Sequence, residues 1–315
     1  MTRVLVSGAT GFIGRELCGQ LARAGFKVRA ALRTERAVPA CIAEKVVVGD
    51  ITGATQWGGA LENVDLVVHA AAHTHVLHDT TADARLYMQT NADGTQALAA
   101  ESVRYGVRRF VYLSSVKVNG EGGSTRAYQA GDEPKPQDGY GASKWLAEQR
   151  LWATVAQTPM HGIVVRPPLV YGPGVRANFM RLLRWIDQER VLPLAAIKNR
   201  RSLVSVWTLC DLLIRLLDHP AAVSRTWMVS DGEDVSTPDL VRRIAHAMGR
   251  RARLLSVPPA ALHLAGALLG KGADVRRLCD SLTVDIAPTR QQLGWSPPVS
   301  LEEALARTVS WYQSQ

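Results

Sequence analysis

Three glycines, Gly8, Gly11 and Gly14, follow the branched apolar run Val4–Ser7 at the point where a helical pattern begins. No other feature constrains this chain as tightly. In Gly8-Ala9-Thr10-Gly11-Phe12-Ile13-Gly14 the missing side chains permit a tight turn, let bare backbone approach a diphosphate, and bring helix close to strand. The first N–H groups of the helix then offer partial positive charge to the phosphates. Gly8, Gly11, Phe12, Ile13 and Gly14 are therefore expected to line a dinucleotide site. A purely structural turn is the competing reading, and the position between first strand and first helix argues against it.

The helix is legible from Ile13, Leu17, Leu21 and Ala24, which recur at spacings of four, four and three before Gly25 stops the run. Further short branched runs at Val28–Leu32, Val46–Val48, Leu66–His69, Phe110–Leu113 and Ile163–Arg166 read as strands. Strands alternating with helices predict an α/β fold, a doubly wound parallel sheet of the Rossmann type. After Pro167 the pattern turns irregular, and helices are expected at Leu209–Leu217 and Pro238–Met248, the second capped by Ser236 or Thr237. The chain thus divides into a dinucleotide-binding domain, 1–170, and a smaller C-terminal substrate-binding lobe, 171–315, partly interleaved with it.

Hydrophobic residues make up 47% and charged residues 21% of the chain, enough apolar material for a core that encloses a cofactor. The net charge of +9 suits an anionic partner, but the basic residues are scattered and no nucleic-acid-binding signature appears, so nucleic acid is not expected. Cys18, Cys41, Cys210 and Cys279 are far apart, which fits reduced thiols in a cytoplasmic protein. His73, His75 and His78 cluster in sequence, yet no carboxylate or cysteine set completes a cage, and no metal is expected. The greasiest stretch, Ala260–Leu269, is too short to span a bilayer and is expected to face the core, so no integral membrane segment is predicted.

A carboxylate at the tip of the second strand would bind a ribose 2′-hydroxyl, whereas arginine suits a 2′-phosphate. Here Leu32 takes the acidic position and Arg33 follows, which predicts NADP(H), with NAD the other option. Asp50 and Ile51, after the third strand, are expected to clasp the adenine ring. Tyr140 and Lys144 lie four apart at the start of a helical pattern and share one face. A phenol is a poor acid–base group at neutral pH unless nearby positive charge stabilises its phenolate. Ser115, just beyond a strand, would stand at the carboxyl edge of the sheet and hold a substrate oxygen. Ser115, Tyr140 and Lys144 are the expected catalytic set, with Tyr140 and Lys144 also touching the cofactor. Asn91 either supports the lysine through water or bends the helix.

Taken in order, Gly8/Gly11/Gly14, Asp50, His69-Ala70-Ala71, Asn91, Ser115, Tyr140/Lys144 and Arg166-Pro167-Pro168-Leu169-Val170-Tyr171-Gly172-Pro173-Gly174 resemble the extended short-chain dehydrogenase/reductase family of nucleotide-sugar epimerases, dehydratases and reductases. The resemblance spans nearly the whole chain. It implies Ala70, Ala71, Asn91 and Pro167 as cofactor contacts, a UDP- or dTDP-sugar substrate, and a homodimer built on two helices per subunit. It further implies substrate contacts from Asn178, Arg201 and Arg277, the arginines matching the diphosphate. The segments around Ser114–Glu121, Asn199–Val204 and Arg277–Asp285 are similar to 4-ketoreductases that form UDP-N-acetyl-6-deoxyhexosamines for surface polysaccharide. Asn119 stands where the epimerases carry tyrosine, and Val206-Trp207-Thr208 where many relatives carry acidic residues.

The first expectation is therefore NADPH-dependent reduction at C4 of a UDP-4-keto-6-deoxy-N-acetylhexosamine. The alternative is a UDP-hexose 4-epimerase, acting on a glucose or N-acetylglucosamine form. A non-catalytic dinucleotide-binding redox sensor is the reading from another class, and an intact Ser115, Tyr140 and Lys144 weighs against it.

Overall fold

The computed structural model describes residues 1–74, 81–270 and 272–315. Strands and helices alternate from the start: β1 (Arg3–Ser7), α1 (Phe12–Arg23), β2 (Lys27–Leu32), β3 (Glu44–Val47), α2 (Gly58–Leu61), β4 (Leu66–His69), α3 (Thr81–Tyr87), α4 (Gly94–Arg104), β5 (Arg109–Leu113), α5 (Gly139–Val155) and β6 (His161–Arg166). There follow β7 (Leu169–Tyr171), α6 (Ala177–Asp187), β8 (Arg201–Ser205), α7 (Val206–Asp218), β9 (Arg225–Met228), β10 (Asp234–Val235), α8 (Thr237–Ala247), α9 (Pro259–Leu268), α10 (Gly272–Cys279), α11 (Ala287–Leu293) and α12 (Leu301–Gln313).

Seven strands form one parallel sheet in the order β3-β2-β1-β4-β5-β6-β9. Both of its faces are covered, which explains why its strands are continuously apolar. Val4, Val6, Val68 and Val111 pack under α1 and α7, while Leu5, Val67, Phe110 and Tyr112 pack under α4 and α5. The chain winds outward from β1 through β2 to β3, then returns to lay β4, β5 and β6 on the other side. The strand order reverses between β1 and β4, the place where such sheets open a crevice for ligands.

A second sheet, β10-β8-β7, anchors the C-terminal part. Its core joins Phe179 and Leu183 of α6, Leu203 of β8, Val241 and Ile244 of α8, and Leu305 of α12. Interleaving is deep: α7 and β9 both follow residue 170, yet α7 covers the main sheet and β9 pairs with β6. Ser236 caps α8, its side chain accepting from Asp239 N. Val206-Trp207-Thr208 opens α7 behind a Ser205 cap, with Val206 and Thr208 buried and Arg307 over the Trp207 ring.

One expectation fails. The Ala260–Leu269 stretch does form a helix, α9, but of its residues only Gly266 is buried, and Leu264 and Leu268 face outward. Leu262 alone of its leucines packs, half-buried, on the C-terminal core, and no described layer covers the outer face that carries Leu264 and Leu268. No described helix is long and apolar enough to cross a membrane.

The packing of α1 on β1 depends on Gly14. A Cβ there would lie 2.1 Å from Gly8 O and 2.8 Å from Ala9 Cα, both backbone atoms that cannot swing aside. Gly14→Ala is expected to destabilise the protein by about 2 kcal/mol, the usual scale for overpacking, read as a lowered midpoint in urea denaturation.

Candidate active site

The crevice begins at Gly8, which has φ +71° and whose added Cβ would lie 2.7 Å from Ala71 N. The end of β1 and the end of β4 therefore touch backbone to backbone, and Ala70 and Ala71 stand beside the turn. Gly11 starts α1 with no side-chain cap, so the helix begins on bare backbone suited to an anion. Phe12 lies against the turn holding Gly172 and Gly174, and closes the crevice toward the second sheet. The Ile13 side chain packs on the core, and its carbonyl accepts from the Cys210 thiol. A methyl group at Gly8 would strike the Ala71 backbone, so the turn stays bare beside the uncapped start of α1, and that set of free N–H groups fits the diphosphate of a dinucleotide.

At the tip of β2, Leu32 is buried in the core, and the exposed Arg33 is the next side chain. Its guanidinium lies 3.7 Å from Asp50, the two forming a solvated pair at the crevice rim. Ile51 packs against Gly94 at the start of α4. Pro167 accepts from Val116 N at 2.9 Å and so ties the end of β6 to the serine segment.

The three catalytic candidates do meet. Lys144 is buried, donates from Nζ to Leu113 O at 2.8 Å, and lies 5.8 Å from the centre of the Tyr140 ring. Burial, opposed by Glu148, lowers its pKa to about 7, so its charge is finely balanced near neutrality. Ser115 lies within hydrogen-bonding reach of the Tyr140 hydroxyl and draws its pKa down. Burial, reinforced by Asp138 and Tyr87, outweighs that pull and holds the phenol above its ordinary value. The sequence predicts the opposite direction, from an ammonium neighbour acting together with an oxidised nicotinamide. In the protein alone the desolvation of the hydroxyl is the larger effect, and additional positive charge at the nicotinamide end of the crevice would oppose it. Ser115 also accepts from Lys117 N at 3.2 Å, so it caps a short 3₁₀ turn as well.

Asn91 does more than bend a helix. It sits in a π-helical stretch, Met88–Asp93, a form that marks functional sites in other helices. Its amide donates to Ser143 Oγ at 3.0 Å and to His73 O at 3.1 Å, and its oxygen accepts from His73 N at 2.8 Å. Ser143 in turn donates to Tyr140 O at 2.8 Å, so Asn91 pins the first turn of α5. His75 and His78 lie outside the described residues. No cluster able to hold a metal occurs among the described ones.

Of the substrate candidates, Arg201 and Arg277 meet. Arg201 donates to Arg277 O at 2.8 Å and Asp280 O at 3.0 Å, which binds β8 to α10, and burial lowers its pKa. Arg277 reaches Glu121 at 3.6 Å; Glu121 pairs with Lys117, and Lys117 with Asp138, the N-cap of α5. Asn178 is exposed in the first turn of α6, which has no side-chain cap and opens on Ala177 at φ +52°. A left-handed non-glycine residue at such a place stores strain, as functional loops do.

Sequence reasoning missed two buried networks. Arg166 forms a forked ion pair with Glu148, at 3.0 and 2.6 Å, and Ser114 donates to the same carboxylate. Arg166 also donates to Asn119 Oδ1 at 3.1 Å, so the asparagine that replaces the usual tyrosine is enlisted in this network. Beneath the crevice, Ser7 donates to His69 Nδ1 at 2.5 Å, and His69 Nε2 donates to Thr95 Oγ1 at 3.0 Å. The direction follows because Thr95 spends its own proton on Asn91 O at 2.6 Å. Polar Ser7 and His69 inside apolar strands were the available signal. Burial, then the charge of Lys144, lowers the His69 pKa from 6.5 to about 3.

An unfolded chain protonates this histidine below pH 6.5 while the folded one does not, so stability is lost as pH falls from 6.5 toward 3. Between pH 6.5 and 5 the wild type should lose about 2 kcal/mol more than His69→Gln, measured by urea denaturation at each pH.

Comparisons with known proteins agree with this arrangement. Over residues 4–230 the chain matches the model of the NAD dependent epimerase/dehydratase family. It is 40% identical to a UDP-glucose 4-epimerase of Vibrio cholerae, covering 97% of this chain and 94% of that one. An N-acetyl-alpha-D-glucosaminyl-diphospho-ditrans,octacis-undecaprenol 4-epimerase of Escherichia coli O157:H7 is 26% identical, with 98% and 94% covered. Among solved structures, MoeE5 in complex with UDP-glucose and NAD superposes with a TM-score of 0.80 at 27% identity, 99% of each chain being covered. With a glycine cradle at the strand reversal and a serine, tyrosine and lysine converging beside it, this chain belongs to the NAD-dependent epimerase/dehydratase family, the extended short-chain dehydrogenases, and is an enzyme of that family.

Proposed function

We propose that the protein is a C4 epimerase of UDP-hexoses, the second of the two activities expected from sequence. The relatives support this reading over the 4-ketoreductase. The observation that carries it is the convergence of Ser115, Tyr140 and Lys144 beside the cradle, in a chain 40% identical over nearly its whole length to a UDP-glucose 4-epimerase. A bound nicotinamide supplies the site with a reversible hydride acceptor and donor. Every other task falls to side chains. Tyr140 takes the proton of the C4 hydroxyl as hydride leaves C4, which yields a 4-keto sugar. Ser115 holds the same oxygen in place. Lys144, when charged, stabilises the phenolate, and the Asn91–Ser143 chain keeps Tyr140 in register. After the 4-keto sugar turns over, hydride returns to its opposite face and Tyr140 restores the proton, so no net oxidation occurs. Arg201, Arg277 and Asn178 bind the diphosphate and fix the orientation of the nucleotide.

One observation favours the reductase as a second reading. Leu32 removes the carboxylate that would bind an NAD ribose, and the exposed Arg33 offers a partner to a 2′-phosphate. That arrangement suits NADPH consumed at each turnover. The unpaired thiols suit a reducing cytoplasm. We also propose a homodimer through α4 and α5, where Leu146 and Trp152 remain half-exposed. Sedimentation velocity should give twice the monomer mass, and a monomer at micromolar concentration would exclude it.

Purified enzyme with UDP-glucose or UDP-N-acetylglucosamine, supplied with either NAD or NADP, should interconvert the C4 epimers without net change in cofactor absorbance. Stoichiometric loss of NADPH with a UDP-4-keto-6-deoxy sugar, and no epimer, would establish the reductase instead. Tyr140→Phe should lower kcat at least about a hundredfold while leaving dinucleotide binding within a factor of about two. Retained turnover would overturn the mechanism.

A further inference from the structure

We propose that α9 docks this enzyme onto an anionic lipid surface. Among the described residues, exposed large apolar side chains are few and several fall here: Leu264, Leu268 and Leu269 are 64%, 79% and 72% exposed, and Leu255 just before the helix is 53% exposed. Val191, 61% exposed, joins them, because Leu192 bridges to Leu254 and accepts from Leu255 N at 2.9 Å. Single exposed leucines need no explanation, but Leu264 and Leu268, one turn apart on α9 with Leu269 following, make an aliphatic face that something covers.

The chemistry of the patch selects its partner. On α9 itself the outward residues are leucine, alanine and proline, with none of the tyrosine or tryptophan anchors that dominate protein interfaces. A ten-residue helix with an aliphatic outer face is too short to span a bilayer but suits burial at the boundary between headgroups and acyl chains. Charge completes the match. From Arg251 to Arg277 the sequence carries Arg251, Arg253, Lys271, Arg276 and Arg277 against a single acidic residue, Asp274. Arg253 is paired with Glu189 and Arg277 faces Glu121, while Arg251 and Arg276, before and after the leucines in the chain, are exposed. Apolar area flanked by cations is what an interfacial segment on anionic lipid requires.

The placement gives docking a purpose. α9 packs on α10, and α10 supplies the Arg277 carbonyl to Arg201 and its side chain to the Glu121–Lys117–Asp138 cluster at the base of α5. The lipid-facing helix is thus one element away from the proposed diphosphate contacts. Docking would hold that side of the cleft near the bilayer, where a sugar diphosphate could be taken from or delivered to a membrane-bound step.

Co-sedimentation of the full-length enzyme with phosphatidylglycerol vesicles, and with phosphatidylcholine vesicles in parallel, tests the proposal. The wild type should pellet with the anionic vesicles at low salt, and less with the zwitterionic ones. Leu264→Glu combined with Leu268→Glu should lower the bound fraction at least about fivefold, with UDP-hexose turnover in free solution unchanged. As a second measurement in folded protein, Leu268→Trp should show a blue-shifted emission on adding anionic vesicles. A wild type that stays in the supernatant, a double variant that pellets equally, or an unshifted Leu268→Trp emission would overturn it. So would a vesicle-free oligomer that the double variant dissociates, since a second copy would then cover the patch.

Discussion

The structure turns on a close approach of backbone to backbone where β1, α1 and β4 meet. Gly14 lets α1 sit on the carbonyl of Gly8, and Gly8 lets the turn rest on Ala70 and Ala71 at the end of β4. Both contacts exclude even a methyl group. From them follow the entry angle of α1, the bare helix start at Gly11 and the open crevice at the strand reversal. The chemistry is possible because the sheet is wound in two directions from this point, so that β4 and β5 deliver their ends to the same edge.

Around that edge the protein replaces water with a wired set of polar groups. Asn91 holds Ser143, Ser143 holds the backbone of Tyr140, and Thr95 joins the Asn91 carbonyl to His69 and Ser7 beneath. On the other side Ser114, Glu148 and Arg166 form a buried charged group under the serine segment. Removing one partner of such a pair strands a charge in a dry interior, which costs several kcal/mol, so the pair rigidifies its surroundings. The same burial leaves Lys144 titrating near neutrality and keeps the Tyr140 proton on, a resting state that a charged ligand at the crevice can shift.

The second lobe is not an independent module. Arg201 stitches β8 to α10, and α10 reaches back through Arg277 to the cluster that caps α5. Movement of α10 would therefore be felt at both the diphosphate side and the acid–base side of the cleft. α9, outside this stitching, is the element with apolar side chains left over.

What the sequence determined by itself was whatever depends on local spacing. The glycine turn, the alternation of apolar runs with helical stripes, and the spacing of four between Tyr140 and Lys144 each encode their geometry within a few residues. These gave the doubly wound sheet, the cradle and the catalytic helix. Tertiary structure alone decided what depends on partners distant in the chain. Ser7 meets His69, Asn91 meets Ser143, and Glu148 meets Arg166 only because neighbouring strands and helices are brought side by side. The direction of the Tyr140 shift belongs with these, since desolvation is set by what surrounds a group and not by its neighbours in sequence. The misjudged α9 has the same cause: an apolar run states that a surface avoids water, but whether the chain itself covers that surface is settled only when every layer is in place.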